Sequence, residues 1–195
     1  MDGVCLTDHD EAWSRDRVRE LSEKHEFLVL RGFELSSNCG HILVFGLDKC
    51  TGDLYRVERV REVVDSVGGV MILSHPFRFS RYVWAGNGPI GLGRRPGQSV
   101  EDGASKPVFR FVDALEVING GTEAAENAFA AAVAEYLGLP GSGGSDAHHL
   151  SQVGSAVTEF ERTIASEEDF IRELKAGRFR ARDLRDRPVP NVAPK

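Results

Sequence analysis

Acidic and histidine residues that can bind metal lie in short, separate clusters along this 195-residue sequence. The clusters are Thr7-Asp8-His9-Asp10, Glu34, His41, Ser74-His75-Pro76 and Ser145-Asp146-Ala147-His148. Nearly every cluster lies where an apolar run ends. Strand ends of an α/β barrel open at one common mouth, so ligands that are far apart in sequence can meet there. Carboxylates and imidazoles that meet in this way predict a site for metal-assisted hydrolysis.

Alternating strand and helix patterns separate these clusters. The predicted strands cover residues 3–7, 27–35, 41–47, 70–73, 112–118 and 156–160, and the predicted helices cover 14–25, 56–66, 122–137 and 167–176. We expect Thr122 to cap the third helix, and Ser166 with Asp169 resembles a capping box for the fourth. Because His75 precedes Pro76, its backbone is expected to be extended.

The segment 77–107 has no clear periodicity and is rich in Gly, Pro and Arg. We expect a long loop over the mouth, with room for a short helix, because so long an aperiodic segment is uncommon unless it serves a site. Its arginines include Arg78, Arg81, Arg94 and Arg95, and its aromatic residues include Phe77, Phe79 and Trp84. The arginines can pair with phosphate and the rings can stack on a base. A solvated arginine at Arg78 and packing of the rings against the barrel are the alternatives.

The composition is that of one globular domain. It is 41% hydrophobic and 28% charged, and its net charge of −6 argues against a general nucleic-acid surface. No apolar stretch reaches the length of a membrane span and no signal sequence is recognisable, so a cytoplasmic location is expected. The three cysteines, Cys5, Cys39 and Cys50, are an odd number without paired spacing, so we interpret them as reduced thiols.

The clusters, taken together and in order, resemble the polymerase and histidinol phosphatase (PHP) family of metal-dependent phosphoesterases. In that family one strand ends in T-D-H, a second in a glutamate preceded by glycine, a third begins with histidine, a fourth ends in S-H-P, and a late loop carries S-D-A-H. The resemblance covers roughly residues 1–177 and leaves 178–195 as a charged, proline-containing tail that we expect to be poorly packed. It implies a distorted TIM-like (β/α)7 barrel.

The resemblance also implies a set of metal ligands. They are His9, Glu34, His41, His75, Asp146 and His148. Of these, Glu34 would bridge two ions, and Glu34, His9 and Asp146 would be the catalytic residues. The full-length protein would hold up to three divalent ions, and manganese, iron, zinc or magnesium all suit such ligands. Arg78 and Asn119 are the candidate substrate-binding residues.

One part of the family pattern is missing at the start of the sequence. Family members open with a strand that bears H-x-H, whereas this sequence begins just before the counterpart of their second strand. We expect a late start, with about thirty to forty residues preceding it, rather than a degenerate member. A barrel without its first strand would expose two strand edges, which favours aggregation. The chain as given is accordingly expected to bind metal incompletely and to be weakly active or inactive.

Each candidate residue also has a purely structural alternative. His9 could belong to a turn or cap, Glu34 could be an exposed acid at a strand end, and His41 could face solvent. His75 could be a core histidine, and His149 is interpreted as a neighbour of the ligand His148. Other residues have roles that the sequence leaves open: Asp8 and Asp10 could orient His9, and Glu116 could point inward or pair on the barrel wall.

The predicted function is hydrolysis of a small phosphomonoester of the nucleotide type. Nucleoside 3′,5′-bisphosphates and the 5′ ends of short oligonucleotides are the expected substrates. The alternatives are histidinol phosphate or a catalytically inactive PHP scaffold that serves as an interaction module. No membrane partner is expected, and the sequence leaves the exact substrate, the metal and the oligomeric state open.

Overall fold

The computed structural model describes residues 1–78 and 97–186. Strands and helices alternate along much of the chain, as the sequence pattern predicts. The strands are β1 (Gly3–Leu6), β2 (Leu28–Arg31), β3 (Phe33–Ser37), β4 (Gly40–Phe45), β5 (Val70–Leu73), β6 (Ala114–Asn119), β7 (Gly141–Gly144), β8 (Ala156–Phe160) and β9 (Phe179–Asp183). The helices are α1 (Arg15–His25), α2 (Val57–Ser66), α3 (Val100–Ala104), α4 (Ala124–Leu137) and α5 (Glu167–Lys175).

A five-stranded mixed sheet forms the centre of the fold, in the order β3-β4-β5-β6-β7. Strands β3, β4 and β5 are antiparallel neighbours, and β5, β6 and β7 are parallel. Strand β1 pairs with β2 in a parallel two-stranded sheet, and β8 pairs with β9 in an antiparallel one. The fold is therefore mixed α/β.

The strands of the described ranges form three separate sheets and do not close into the predicted TIM-like barrel. A barrel of that type requires parallel strands joined by long crossovers. Here only Asn38 and Cys39 separate β3 from β4, so these strands must run antiparallel.

Gly32 divides the predicted strand over 27–35 into β2 and β3. A Cβ atom at this position would lie 2.6 Å from the ring of Phe45, so only glycine fits without displacement. The Gly32 N–H donates to the Leu6 carbonyl at 2.9 Å. The chain thus leaves the small β1–β2 sheet at Gly32 and enters the central sheet.

Both faces of the central sheet are buried, which explains the continuous apolar run of β5. Met71 and Leu73 pack into a core with α2 and α4, and Val70 and Ile72 pack into a second core with α5 and β9. On α2, Val57, Val60 and Val64 are fully buried side chains of the first core. These positions follow the helical spacing that predicts the buried face.

Two helix N-termini test the predicted caps. Ser166 caps α5, and its Oγ accepts the Asp169 N–H at 3.2 Å, as predicted. Helix α4 is capped by Glu123, which forms a capping box with Glu126. The predicted cap at Thr122 is therefore wrong, because the Thr122 hydroxyl donates instead to Asn119 Oδ1 at 3.0 Å.

The described parts of the C-terminal segment and of the aperiodic segment both contain regular structure. Residues 179–183 form β9, and Phe179 is buried in the second core, so the prediction of a poorly packed extension from Arg178 is wrong there. Helix α3 is the short helix for which the sequence left room, and Pro107–Arg110 forms a 3₁₀ turn. Other predicted contributors to the loop lie in residues 79–96, outside the described ranges: Phe79, Arg81, Trp84, Arg94 and Arg95.

Two further sequence predictions concern the environment of the protein. In residues 1–78 and 97–186, no helix combines the length and apolar character needed to span a membrane. The three cysteines are free thiols, and burial raises the pKa of the Cys5 thiol to about 12. Cys5 is partly buried against the second core, and its raised pKa leaves little of the nucleophilic thiolate form at neutral pH.

Candidate functional site

Backbone pairing brings His9 beside Glu34. The chain beyond β1 continues along β3, where His9 and Glu34 form a parallel bridge. The Glu34 N–H donates to the Asp8 carbonyl at 3.0 Å, and the Asp10 N–H donates to the Glu34 carbonyl at 2.9 Å. As a result, His9 Nε2 lies 3.5 Å from Glu34 Oε2.

Two more histidines contact the same carboxylate. His41 on β4 pairs with Ser36 on β3, two residues from Glu34, so both side chains share one face of the sheet. His41 Nδ1 lies 2.9 Å and His75 Nε2 lies 3.1 Å from Glu34 Oε1. His75 follows β5, and its side chain is only 1% exposed. Three imidazoles thus surround Glu34.

The geometry and the chemistry of these donors fit a divalent metal ion. One ligand atom from each of His9, Glu34 and His41 lies within 4.8 Å of the others. The buried His41 Nδ1 has the Glu34 carboxylate as its partner, whereas the buried His75 Nδ1 has no hydrogen bond. Buried polar atoms are rarely left unpaired, so this nitrogen of His75 is available to a cation. Imidazole and carboxylate are common ligands of zinc, iron and manganese.

The charge of Glu34 depends on these histidines. Burial acts to raise the pKa of the Glu34 carboxyl, but its contacts with His41 and His75 outweigh burial and hold the pKa well below its usual range. Glu34 is therefore an ionised carboxylate at neutral pH. A buried negative charge among three imidazoles attracts cations to this point.

A second group of polar residues surrounds Asp146. The Arg78 guanidinium contacts Asp146 Oδ2 and donates to Asn119 Oδ1 at 2.6 Å. Asn119 Nδ2 also lies 3.4 Å from Asp146 Oδ2. Burial acts to raise the pKa of Asp146, but Arg78 outweighs burial and lowers it. The predicted ligand Asp146 thus contacts the two predicted substrate-binding residues.

Glu116 joins the two groups. It is 3% exposed and accepts hydrogen bonds from the Ser74 hydroxyl, the His75 backbone N–H and Asn119 Nδ2. Burial raises the pKa of this carboxyl. The sequence left the direction of Glu116 open, and the structure shows that it points inward. An acidic residue inside an apolar strand is the sequence feature that identifies it, because such a group needs buried partners.

The remaining histidines of the late loop lie at the surface. The His148 side chain is 68% exposed, with Nδ1 at 3.0 Å from the Asp146 carbonyl and 3.8 Å from Asp146 Oδ1. The backbone N–H groups of His148 and His149 both donate to Gln152 Oε1. The structure thus places His148 beside Asp146, while the contacts of Glu34 are with the other three predicted histidine ligands.

The two aspartates beside His9 have other partners. Asp8 Oδ2 accepts a hydrogen bond from the Trp13 indole, and Asp10 Oδ1 accepts the Ser36 N–H at 2.9 Å. These contacts do not orient the imidazole directly. They hold the turn that carries His9 against β3 and against the segment that precedes α1.

The backbone of His75 is not extended, so the prediction from Pro76 is wrong. Its φ is +27°, and Asp10 and Asp146 also have positive φ values, +54° and +49°. Such conformations cost about 1–3 kcal/mol for a residue other than glycine and cluster at functional sites. The hydrogen bond from the His75 N–H to Glu116 explains the exception, because a tertiary contact overrides the local preference.

Comparison with known proteins finds a family model and solved structures that are similar to this chain. Residues 124–179 match a family model described as PHP-associated. PsfC from Pseudomonas syringae PB-5123 is 22% identical, with a TM-score of 0.59 over 94% of this chain and 77% of PsfC. A structure named "putative metal-dependent phosphoesterase" from Bifidobacterium adolescentis is 14% identical, with a TM-score of 0.58 over 89% of this chain and 85% of that one. The search of curated proteins finds no match.

These matches confirm the predicted resemblance to the PHP family. The matched segment includes Asp146 and His148, which carry the most specific motif of the resemblance. At these identities, the two solved structures show a shared fold.

Proposed function

We propose that this PHP-related chain is a metal-dependent phosphoesterase that hydrolyses phosphomonoesters. The observation that carries the proposal is the Glu34 carboxylate with three imidazoles around it, together with a buried His75 Nδ1 that has no hydrogen bond. The name of the Bifidobacterium adolescentis structure is consistent with this chemistry.

Four residues would hold metal in the Glu34 group, namely Glu34, His9, His41 and His75. By the family resemblance, Asp146 and His148 would contribute to neighbouring ions. Divalent ions in such a site supply Lewis acidity toward phosphate oxygens and a water of lowered pKa. The ionised Glu34 balances the added charge, while neutral imidazoles bind without adding any.

Arg78 would bind and orient the phosphate of the substrate. Its guanidinium is already at the site, where it contacts Asp146 and donates to Asn119 and Thr122. A planar guanidinium can hold two phosphate oxygens at once. When phosphate takes the place of Asp146 in this contact, the Asp146 carboxylate becomes free to act as a ligand.

The finer proposal is a substrate of the nucleotide type, either a nucleoside bisphosphate or a short oligonucleotide. Phe77 does not support it, because this ring is 1% exposed and packs against Phe129 and Phe109 with centroid distances of 4.7 and 6.4 Å. Base stacking therefore rests on Phe79 and Trp84. Histidinol phosphate is the competing small substrate.

The test measures metal content and hydrolysis with the same purified protein. After incubation with Mn²⁺, Fe²⁺ or Zn²⁺ and desalting, we expect bound metal that the Glu34→Gln variant lacks. Nucleoside 3′,5′-bisphosphates, short 5′-phosphorylated oligonucleotides and histidinol phosphate are then compared, with the variant as the background rate. Slow release of phosphate above this background from nucleotide substrates is the expected result, in keeping with the weak activity that the sequence predicts for this chain.

Three outcomes distinguish the alternatives. A preference for histidinol phosphate would overturn the proposal of a nucleotide substrate, but the proposal that the chain is a phosphoesterase would stand. Metal binding without hydrolysis of any substrate would favour the PHP scaffold. Absence of bound metal in the wild type would overturn the proposed function itself.

A further inference from the structure

Three hydrogen bonds converge on one oxygen of Glu116. Its Oε2 atom accepts the Ser74 hydroxyl at 3.1 Å, the His75 backbone N–H at 2.9 Å and Asn119 Nδ2 at 2.9 Å. The donors come from two segments, the end of β5 and the end of β6. Glu116 therefore links the segment that carries His75 to the segment that carries Asn119.

The bond to His75 fixes an unfavourable backbone conformation. His75 has a φ of +27° and precedes proline, a context that disfavours this region. Its N–H bond to Glu116 offsets part of that cost. The same conformation leaves His75 Nε2 at 3.1 Å from Glu34 Oε1. By bonding the His75 backbone, Glu116 therefore positions the imidazole of His75 beside Glu34.

The bond to Asn119 fixes the orientation of an amide. A carboxylate only accepts hydrogen bonds, so the Nδ2 end of Asn119 must face Glu116. The Oδ1 end then accepts from Arg78 at 2.6 Å and from the Gly121 N–H at 2.9 Å. Glu116 thus determines, through Asn119, where the guanidinium of Arg78 is held.

We propose that Glu116 is a positioning residue that holds His75 for metal and Arg78 for phosphate at the same time. The proposal rests on the proposed function only for the identity of the groups that His75 and Arg78 bind, namely metal and phosphate. The role requires the reach of the side chain and an acceptor oxygen, and it does not require the negative charge.

Two substitutions separate reach from charge. Glu116→Gln keeps an acceptor oxygen at the same distance and removes the charge, whereas Glu116→Asp keeps the charge and withdraws the carboxylate by one methylene. We expect E116D to lower the affinity for Mn²⁺, measured by titration calorimetry, by about 10–100-fold, as is typical when a partner of a metal ligand is lost. E116Q should stay close to the wild type.

Kinetics and metal-free crystal structures give the independent measurements. With a phosphomonoester substrate, E116D should have a lower kcat and a higher KM, since both sides of the site move. In the metal-free crystals, His75 should keep its positive φ in E116Q and lose it in E116D. Glu173→Gln is the matched control, because Glu173 is also fully buried but pairs with Arg178, and its Mn²⁺ affinity should equal that of the wild type.

A further variant tests the position without changing the carboxylate. A Cβ atom at Gly144 would lie 2.3 Å from Glu116 Oε1, so Gly144→Ala should displace Glu116 and reproduce the defect of E116D. This variant replaces E116D in the comparison if E116D does not fold.

The inference is overturned if E116Q loses as much Mn²⁺ affinity as E116D, or if E116D behaves as the wild type. Failure of the phosphoesterase proposal would look different, because the wild type itself would then not hydrolyse phosphomonoesters. Mn²⁺ affinity would decide the role of Glu116 in that case. If the wild type also bound no Mn²⁺, the φ of His75 in the metal-free crystals would decide it.

Discussion

At the scale of single residues, Glu34 has its properties only because three other segments reach it. His9 follows β1, His41 lies in β4 and His75 follows β5. An isolated glutamate at a strand end is a solvated acid with an ordinary pKa. Here the contacts with His41 and His75 hold its pKa well below the usual range in spite of burial. The carboxylate is thus prepared for a cation before one binds.

We predict that Glu34→Gln removes metal binding and activity together. The amide has no charge to balance a divalent ion, and it offers one acceptor oxygen in place of two. The loss of Mn²⁺ affinity should exceed the roughly 10–100-fold loss typical of partners that do not bind the metal. Titration calorimetry checks it, with Glu135→Gln on the exposed surface of α4 as the control. Wild-type affinity in E34Q would place the metal elsewhere.

We predict that Arg78→Ala weakens binding of the phosphate ester and leaves metal content nearly unchanged. Charge-assisted hydrogen bonds contribute about 1.5–3 kcal/mol. KM should therefore rise by about 10–100-fold, with a smaller effect on kcat. Steady-state kinetics and metal analysis measure the two quantities. Arg110→Ala, an exposed arginine in the 3₁₀ turn, is the control. A loss of metal in R78A would show that Arg78 maintains the metal site instead.

At the scale of secondary structure elements, one partly buried ion pair connects α5 to the residue before β9. The Glu173 side chain has no solvent exposure and accepts from Arg178 Nε at 2.6 Å and Nη2 at 2.8 Å. This bidentate pair, with Phe179 in the core, explains why residues 179–183 form a strand where their composition predicts a loose tail.

We predict that this pair makes stability depend on acid. Hydrogen bonding by Arg178 lowers the pKa of Glu173 from 4.5 to about 2 in the folded chain. The unfolded chain takes up the proton at a higher pH, so stability present above about pH 4.5 is lost as the pH falls toward 2. The difference in Tm between the wild type and Glu173→Gln should therefore shrink between pH 6 and pH 2.5.

The control for acid stability is Glu20→Gln. Glu20 pairs with Arg17 on the exposed face of α1, where ion pairs contribute little. Its Tm should follow the wild type at every pH. A constant Tm difference between the wild type and E173Q across the range would contradict the predicted role of the ion pair.

At the scale of the whole molecule, two hydrophobic cores share one sheet. Met71 lies in the core beneath α2 and α4, and Leu174 lies in the core beneath α5. Both cores depend on β5, whose residues alternate between them. Loss of either core therefore removes support from the strand that leads into His75.

We predict that Met71→Ala and Leu174→Ala each destabilise the whole chain by about 2–5 kcal/mol. Because the cores share a sheet, each variant should still unfold in one transition, with far-ultraviolet circular dichroism and tryptophan fluorescence changing together. Leu150→Ala is the control, since Leu150 is 94% exposed and its removal should change stability by less than about 0.5 kcal/mol. Two separate transitions would show that the cores fold independently.

The sequence by itself determined the features that depend on neighbours in the chain. Helical spacing predicts the buried face of α2, and Ser166 with Asp169 predicts the start of α5. The ordered clusters predict the three histidines that contact Glu34, because the type of a side chain limits its chemistry wherever it lies. The helix features depend on residues a few positions apart, and the candidate ligands depend on residue type, so neither needs knowledge of the rest of the fold.

Only the tertiary structure decided the features that depend on distant partners. The close approach of Phe45 makes Gly32 the point where one strand becomes two. Glu116 turns inward and His75 takes a positive φ because their hydrogen-bond partners lie about forty residues away in the sequence. Local preferences of this kind are worth about 1–3 kcal/mol at most, so several buried hydrogen bonds and packing contacts together override them.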